Sequence, residues 1–155
     1  MPRYYKIVTE NRRARHDFNI IEVYKAGIEL KGTEVKSLRL GKANIRDSFA
    51  RAEKGELWLF GMHISPYERG NIYNVNPIRQ RKLLLKSQEM KKLIGKAAQK
   101  GFTLIPLKVY FDGDYAKVDL GLGKSKKLFE KRETIKEKEV NREIEKALKQ
   151  TRQKR

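Results

Sequence analysis

The stretch from Gly27 to Arg39 predicts a strand, a tight turn and a short helix, and it limits what the rest of the chain can form. Apolar and polar residues alternate from Ile28 to Lys31, as in a strand with one buried face. Gly32 interrupts this alternation. Thr33 is then predicted to cap the helix, because its hydroxyl can accept a bond from a free helical N–H. A helix this short is unstable alone and must pack against other elements, so the stretch predicts a plug at the end of a sheet.

The two faces of this predicted helix differ in chemistry. Val35 and Leu38 lie three residues apart on an apolar face, whereas Lys36 and Arg39 lie on a basic one. Gly41 is placed to end the helix with a positive φ. The apolar face accounts for the plug, and the basic face is either solvated or available to a partner.

The other apolar segments predict antiparallel strands joined by short turns. These segments are Phe18–Tyr24, Ala43–Ala52, Leu57–Met62, Ile78–Leu85, Phe102–Phe111 and Tyr115–Leu122. Asp112-Gly113 is a strong hairpin signal, and a longer helix is predicted from Ser87 to about Gln99. We therefore predict a mainly β fold with one short and one longer helix. About six strands would close into an OB-like antiparallel barrel, since closure removes exposed edges.

The strand pattern lapses between His63 and Pro77, where turn-forming residues dominate. This predicts a long irregular loop. Long ordered loops are often functional, but the sequence assigns no role to this one.

The charge balance points to a polyanionic partner. The chain has 37 Lys and Arg residues against 19 Asp and Glu, which gives a net charge of +18. Nucleic acid is the first candidate and an anionic membrane surface the weaker one. We expect neither a secretory leader nor a membrane span. Cysteine is absent, which excludes disulfide and thiolate chemistry and makes the cytoplasm the expected location.

The composition changes at Gly123. Beyond Lys131 the chain is mostly Lys, Arg, Glu and Gln, with a narrow apolar stripe that ends at Leu148. Such a segment cannot bury enough apolar surface to fold alone. We therefore predict a barrel domain over residues 1–122 and a basic tail over residues 123–155 that is disordered when free and orders on a partner.

No catalytic motif is assembled in the sequence. Gly123-Lys124-Ser125 resembles the end of a phosphate-binding loop, but Val118 stands where that motif needs its first glycine. The two histidines, His16 and His63, have no cysteine partners for a zinc site. We expect no cofactor, no metal site and no enzymatic activity, although a nuclease that uses scattered carboxylates stays open as an alternative.

Several motifs in order along nearly the whole chain resemble the SmpB family, the SsrA-binding proteins of bacteria. They are Asn11–His16, Gly27–Arg39, Gly41–Ile45, Arg79–Leu85, Gly121–Lys127 and Glu130-Lys131-Arg132. Some positions depart from the family pattern, among them Phe129-Glu130, which replaces a commoner aromatic-Asp pair. Gly123 and Ser125 replace the usual alanine and glycine, and Lys25 stands where an acidic residue is common.

The resemblance implies an OB-like barrel with helices that binds the tRNA-like domain of tmRNA (SsrA RNA), one copy per tmRNA. The complex would be delivered to stalled ribosomes for rescue and peptide tagging. The tail would contact ribosomal RNA of the small subunit and form a helix in the empty mRNA channel. The alternative from the residues alone is a general OB-fold RNA chaperone or ribosomal protein with a basic tail.

The motifs and the basic clusters together give two sets of candidate residues. The predicted RNA-binding residues are Asn11, Arg12, Arg13, His16, Glu34, Lys36, Arg39, Arg79, Arg81, Lys82, Leu84, Lys117, Lys124, Lys126 and Lys127. The tail residues predicted to contact the ribosome are Lys131, Arg132, Ile135, Lys138 and Ile144.

Overall fold

The computed structural model describes residues 4–153, without the side chains at positions 129 and 153. The strands are β1 (Tyr5–Glu10), β2 (Phe18–Ile28), β3 (Ala43–Asn44), β4 (Phe49–Glu53), β5 (Glu56–Phe60), β6 (His63–Ile64), β7 (Arg81–Leu84), β8 (Phe102–Asp112) and β9 (Tyr115–Ser125). The helices are α1 (Ala14–Asp17), α2 (Gly32–Arg39), α3 (Ser87–Ala97) and α4 (Leu128–Gln153), and a 3-10 turn spans Asn71–Tyr73.

Six antiparallel strands form a closed ring in the order β2, β9, β8, β4, β5 and β7, because β7 pairs back with β2. β1 lies outside the ring, on the edge of β8, and β3 pairs only with β6. The mainly β fold with helices is therefore confirmed. The described part of the chain holds nine strands, and the six of the ring match the predicted number.

The short helix α2 closes one end of the ring. Leu38 is fully buried in the core that includes Phe111 and Val118, and Val35 packs against the same core. The predicted plug is confirmed. Gly41 has a φ of +75° just after the helix, as expected for a residue that ends it.

The predicted cap of α2 is wrong. Lys31, in an extended conformation, precedes the first helical residue, and its backbone N–H donates to Glu34 Oε1 at 2.9 Å. Thr33 lies inside the helix, where its hydroxyl donates to the backbone oxygen of Tyr73 at 3.2 Å. The helix begins earlier because the Glu34 side chain satisfies the first free amide.

Two elements near the N-terminus were not predicted. β1 pairs with β8 from Tyr5 to Glu10, and α1 follows it. Most β1 residues are exposed, so backbone hydrogen bonds rather than a buried face hold the strand, and its sequence carries little hydrophobic alternation. The segment predicted as one strand at Ala43–Ala52 is divided into β3 and β4.

Two features of the structure bear on the predicted tail. β9 continues to Ser125, which pairs with Phe18, so the ring extends three residues beyond the predicted boundary at Leu122. Leu128–Gln153 forms the continuous helix α4, in the segment predicted to be disordered when free and helical on the ribosome. Lys, Glu and Gln are good helix formers, and contacts with the body hold the first turns: Lys126 N donates to Asp17 O at 2.8 Å and Asn19 Nδ2 to Glu130 at 3.2 Å.

Candidate nucleic-acid interface

The predicted RNA-binding residues divide between the two ends of β2. This strand has eleven residues and therefore spans ~36 Å at 3.2–3.4 Å per residue. α1 and the start of α4 adjoin its first residues, whereas α2 follows its last ones. We call these the α1 end and the α2 end. The sequence did not show that its candidates form two groups.

A cavity of about 880 Å³ opens at the α2 end. Leu84 and Lys117 both pair with Gly27, one from β7 and the other from β9, so β2 brings these two predicted residues to the same place. Leu84 is 46% exposed, and the glycine between them leaves the floor of the cavity without a side chain. The site is therefore a concave surface that combines an apolar and a cationic side chain.

Sequence reasoning missed three other residues that line this cavity: Lys25, Lys86 and Tyr115. Tyr115 is 70% exposed, which is unusual for an aromatic side chain. The alternation of β9 could have identified it, because Tyr115 and Lys117 are two residues apart and share a face.

Glu34 and Arg81, both predicted to bind RNA, are instead buried against each other. Glu34 is 3% exposed and Arg81 is 0% exposed. The carboxylate accepts hydrogen bonds from Arg79 and, at 2.5 Å, from Arg81 Nε. Arg81 also donates to Met62 O at 2.7 Å and to Pro77 O at 3.0 Å. These two side chains cannot reach a macromolecular partner in this structure, and their contacts position α2 against the 63–80 loop.

The pKa of Glu34 reflects this environment. Burial alone would raise the pKa, but hydrogen bonds from the Lys31 amide, Arg79 and Arg81 outweigh it, so the pKa lies below its ordinary value. Burial lowers the pKa of Arg81, and the bond to Glu34 counteracts that effect. Glu34 and Arg81 are thus an ionised, hydrogen-bonded pair. Arg79 is a second, outer partner of Glu34, with a side chain 26% exposed.

The basic face of α2 is exposed, as predicted. Lys36 Nζ lies 5.5 Å from the centre of the Tyr67 ring. The Arg39 guanidinium lies 4.8 Å from the ring of Phe111, which also lines the cavity. Lys82 does not belong to this basic face. Its ammonium forms an ion pair with Glu56 on β5, at 3.1 Å.

The α1 end holds the other predicted residues. Arg12 and Arg13 are exposed, whereas Asn11 is only 9% exposed and its backbone N–H donates to Leu107 O at 2.7 Å. His16 bonds to Asp17 at 2.9 Å, and this bond lowers the pKa of Asp17.

The lysines that precede α4 lie at the same end. Lys124 pairs with Asn19 across β2 and β9, and its ammonium lies 4.7 Å from the Phe102 ring. Lys126 donates to Thr134 at 2.8 Å, and Lys127 is exposed. Cations from the N-terminal segment and from the start of the tail are therefore neighbours, although more than a hundred residues separate them in the chain.

The predicted tail residues all lie on α4. Lys131 is partly buried near Asp17, at 3.8 Å, and Arg132 is exposed. Ile135 is 43% exposed and Ile144 is 52% exposed, and Lys138 is exposed beside them. From residue 135 to residue 152 every described side chain is exposed, so this part of the helix offers a free surface.

Two negative findings apply to the described residues. They contain no group of three or more His, Asp or Glu side chains arranged to hold a metal ion. No helix among them is both long and apolar enough to cross a membrane.

The ring, its cationic ends and the projecting helix define a small, strongly basic β protein with the surface of a polyanion binder. The SmpB family model, described as SmpB protein, matches residues 8–150. The SsrA-binding protein of Carboxydothermus hydrogenoformans is 61% identical over 143 residues, which cover 92% of this chain and 96% of the relative. The SsrA-binding protein of Pelotomaculum thermopropionicum is 55% identical over 145 residues, which cover 94% of this chain and 95% of the relative.

A solved structure described as "tmRNA-SmpB: a journey to the center of the bacterial ribosome" contains a similar chain. The TM-score is 0.65 at 60% identity, and the match covers 77% of this chain and 85% of that one. The chain therefore belongs to the SmpB family, and the resemblance found in the sequence is confirmed.

Proposed function

We propose that this chain is the RNA-binding adaptor of trans-translation, which binds the tRNA-like domain of tmRNA and delivers it to stalled ribosomes for rescue and peptide tagging. Its relatives are named for binding SsrA RNA, and its structural neighbour is described with tmRNA and the ribosome. The geometric observation that carries the proposal is the meeting of Leu84 and Lys117 on either side of Gly27, beside the basic face of α2. A concave surface with apolar and cationic groups suits the shape and unpaired bases of a folded RNA.

The closed six-stranded ring is, in this proposal, an OB-like barrel. Antiparallel pairing around the whole ring and the helical plug support that assignment. Closure pairs each strand of the ring on both sides, so the ring holds the two basic ends at a fixed separation.

The two ends would serve two partners. The α2 end binds the tRNA-like domain, and α4 extends from the opposite end into the empty mRNA channel of the small subunit. α4 has 26 residues and so is ~39 Å long, and its exposed surface carries many cations. The chain would act as one copy per tmRNA in the cytoplasm, without a cofactor and without catalysis of its own.

The test is a gel-shift titration of the purified chain with the tRNA-like domain and with an unstructured RNA of equal length. We expect a clear preference for the folded domain. Lys117→Ala should weaken binding about tenfold, or about 1.4 kcal/mol, whereas Lys91→Ala, an exposed position on α3, should change it less than about twofold. Equal affinity for both RNAs would favour the general RNA chaperone instead.

The same preparation addresses the nuclease alternative. The tRNA-like domain should remain intact after incubation with the chain and magnesium, and metal-dependent cleavage would contradict the adaptor proposal.

A further inference from the structure

The tip of the 63–80 loop exposes two large apolar side chains. Ile72 is 88% exposed and Tyr73 is 75% exposed, the highest values among the large hydrophobic residues that the structure describes. Single exposed apolar residues are common, but here two adjacent ones project from the same 3-10 turn. Neither residue is part of the predicted RNA-binding set.

The tip is held firmly from behind. The Asn74 side chain accepts from Tyr67 N at 3.0 Å and donates to Tyr67 O at 2.9 Å, which closes the loop. Thr33 on α2 donates to the backbone oxygen of Tyr73 at 3.2 Å. Gly70 is packed so closely that a Cβ there would lie 2.6 Å from Asn74 Oδ1 and 2.9 Å from Thr33 Cγ2. The backbone of the tip is therefore fixed, so the tip itself would lose little conformational entropy when a partner binds.

The charges around the tip favour a polyanion. Three cations are exposed here: Lys31 just before α2, Lys36 on α2 and Arg69 on the loop. The carboxylate of Glu34 is occupied by the two arginines, and Glu68 lies 4.0 Å from Lys42. An aromatic ring that projects from a cationic surface is how proteins stack on unpaired bases of RNA.

We infer that Tyr73 stacks on an unpaired base of the tRNA-like domain, with Ile72 packed against the adjoining nucleotide. This inference rests on the proposed function. The tip belongs to the α2 end, because Thr33 bonds to it, and α4 begins at the opposite end of β2. It therefore faces the tRNA-like domain and not the mRNA channel. The two residues extend the RNA site beyond the cavity at Leu84 and Lys117.

The test is a filter-binding titration of the full chain with the tRNA-like domain. Tyr73→Ala should weaken binding about tenfold, since base stacking on an aromatic side chain accounts for a change of this size. Tyr73→Trp should bind at least as tightly as the wild type, because the larger ring still stacks. Ile21→Ala, another exposed isoleucine at 55%, is the matched control for Ile72→Ala and should leave the affinity unchanged. Thermal melting should be the same for all four variants, because the side chains of Ile21, Ile72 and Tyr73 are exposed and the tip is anchored by Asn74 and Thr33.

A fluorescence measurement tests stacking itself. The indole introduced by Tyr73→Trp should lose emission when the RNA is added, with the single native tryptophan, Trp58, providing the background in the wild type. Unchanged emission would overturn the inference, as would wild-type affinity of Tyr73→Ala for the RNA. A lowered melting temperature of Tyr73→Ala would also overturn it, since the side chain would then be structural. Loss of ribosome binding with intact RNA affinity would assign the tip to the ribosome. All these outcomes leave the proposed function standing, which fails if the wild type shows no preference for the tRNA-like domain or cleaves it in the presence of magnesium.

Discussion

Replacing Glu34 by alanine should destabilise the fold strongly, although the sequence places Glu34 in a motif predicted to bind RNA. The change removes the acceptor for the Lys31 amide, Arg79 and Arg81. Arg81 would keep its bonds to Met62 O and Pro77 O, but its charge would remain fully buried without a counter-charge. Breaking one partner of a buried ion pair costs ~3–5 kcal/mol. For a chain of this length that loss lowers the melting temperature by about 6–20 °C.

Thermal and urea unfolding, followed by circular dichroism, would measure this effect. Glu29→Ala is the matched control, because Glu29 is exposed just before α2 and should change the free energy of unfolding by less than about 0.5 kcal/mol. A double variant, Glu34→Leu with Arg81→Met, should recover most of the lost stability, since apolar residues can replace a buried pair at little cost.

The result that would refute this reasoning is specific. If Glu34→Ala loses less than about 1 kcal/mol of stability and yet abolishes binding to the tRNA-like domain, the carboxylate contacts RNA directly and the burial argument is wrong. If the double variant binds RNA normally, the pair serves only to position α2 and the loop.

Three further predictions concern acid, the tail boundary and the tail helix. Because the pKa of Glu34 lies below its ordinary value of 4.5, its contribution is present above that value and is lost as the pH falls through the lowered pKa. The urea concentration at the midpoint of unfolding should therefore decrease as the pH is lowered through that range. The decrease should be smaller for the Glu34→Gln variant. A chain cut after Lys127 should keep its affinity for the tRNA-like domain in a gel shift, whereas a cut after Leu122 removes paired residues of β9 and should lower the melting temperature. Ile144→Pro should cost ~3 kcal/mol within α4. It should leave tmRNA binding intact but impair tagging in vitro, and normal tagging would argue against a helical tail on the ribosome.

The long strands β8 and β9 were predictable from sequence because they are rich in apolar residues and flank a strong hairpin signal. Their burial does not alternate strictly, since residues 104–106, 109–111 and 118–123 are buried in continuous runs. β1 was not predictable in this way, because pairing with the edge of β8 stabilises it without burial of a face. The tail was predicted to be disordered when free, because its apolar stripe is narrow. In the structure Leu128–Gln153 is helical, and helix propensity together with the contacts of Glu130 with Asn19 and of Lys131 with Asp17 accounts for this.

In the candidate site, the charge of a side chain does not by itself predict whether that side chain is exposed. Arg79, Arg81 and Lys82 look like one basic cluster in the sequence, yet β7 turns alternate residues inward. Arg81 and Leu83 share the buried face, while Lys82 and Leu84 point outward. The run of three leucines that follows hides this alternation, so the pattern gave no sign that one arginine is internal.

The buried pair also explains how a short helix can present a binding surface. α2 alone is too short to be stable, and burial of Leu38 fixes its depth but leaves rotation about the helix axis less constrained. The bonds from Glu34 to Arg79 and Arg81 add that constraint, and the bond from Thr33 to the 63–80 loop acts in the same direction. The orientation of Lys36, Arg39 and the exposed tip therefore depends on the buried charges of Glu34 and Arg81. A substitution in this cluster should affect recognition at the α2 end and leave the contacts of α4 with α1, at the other end of β2, unchanged.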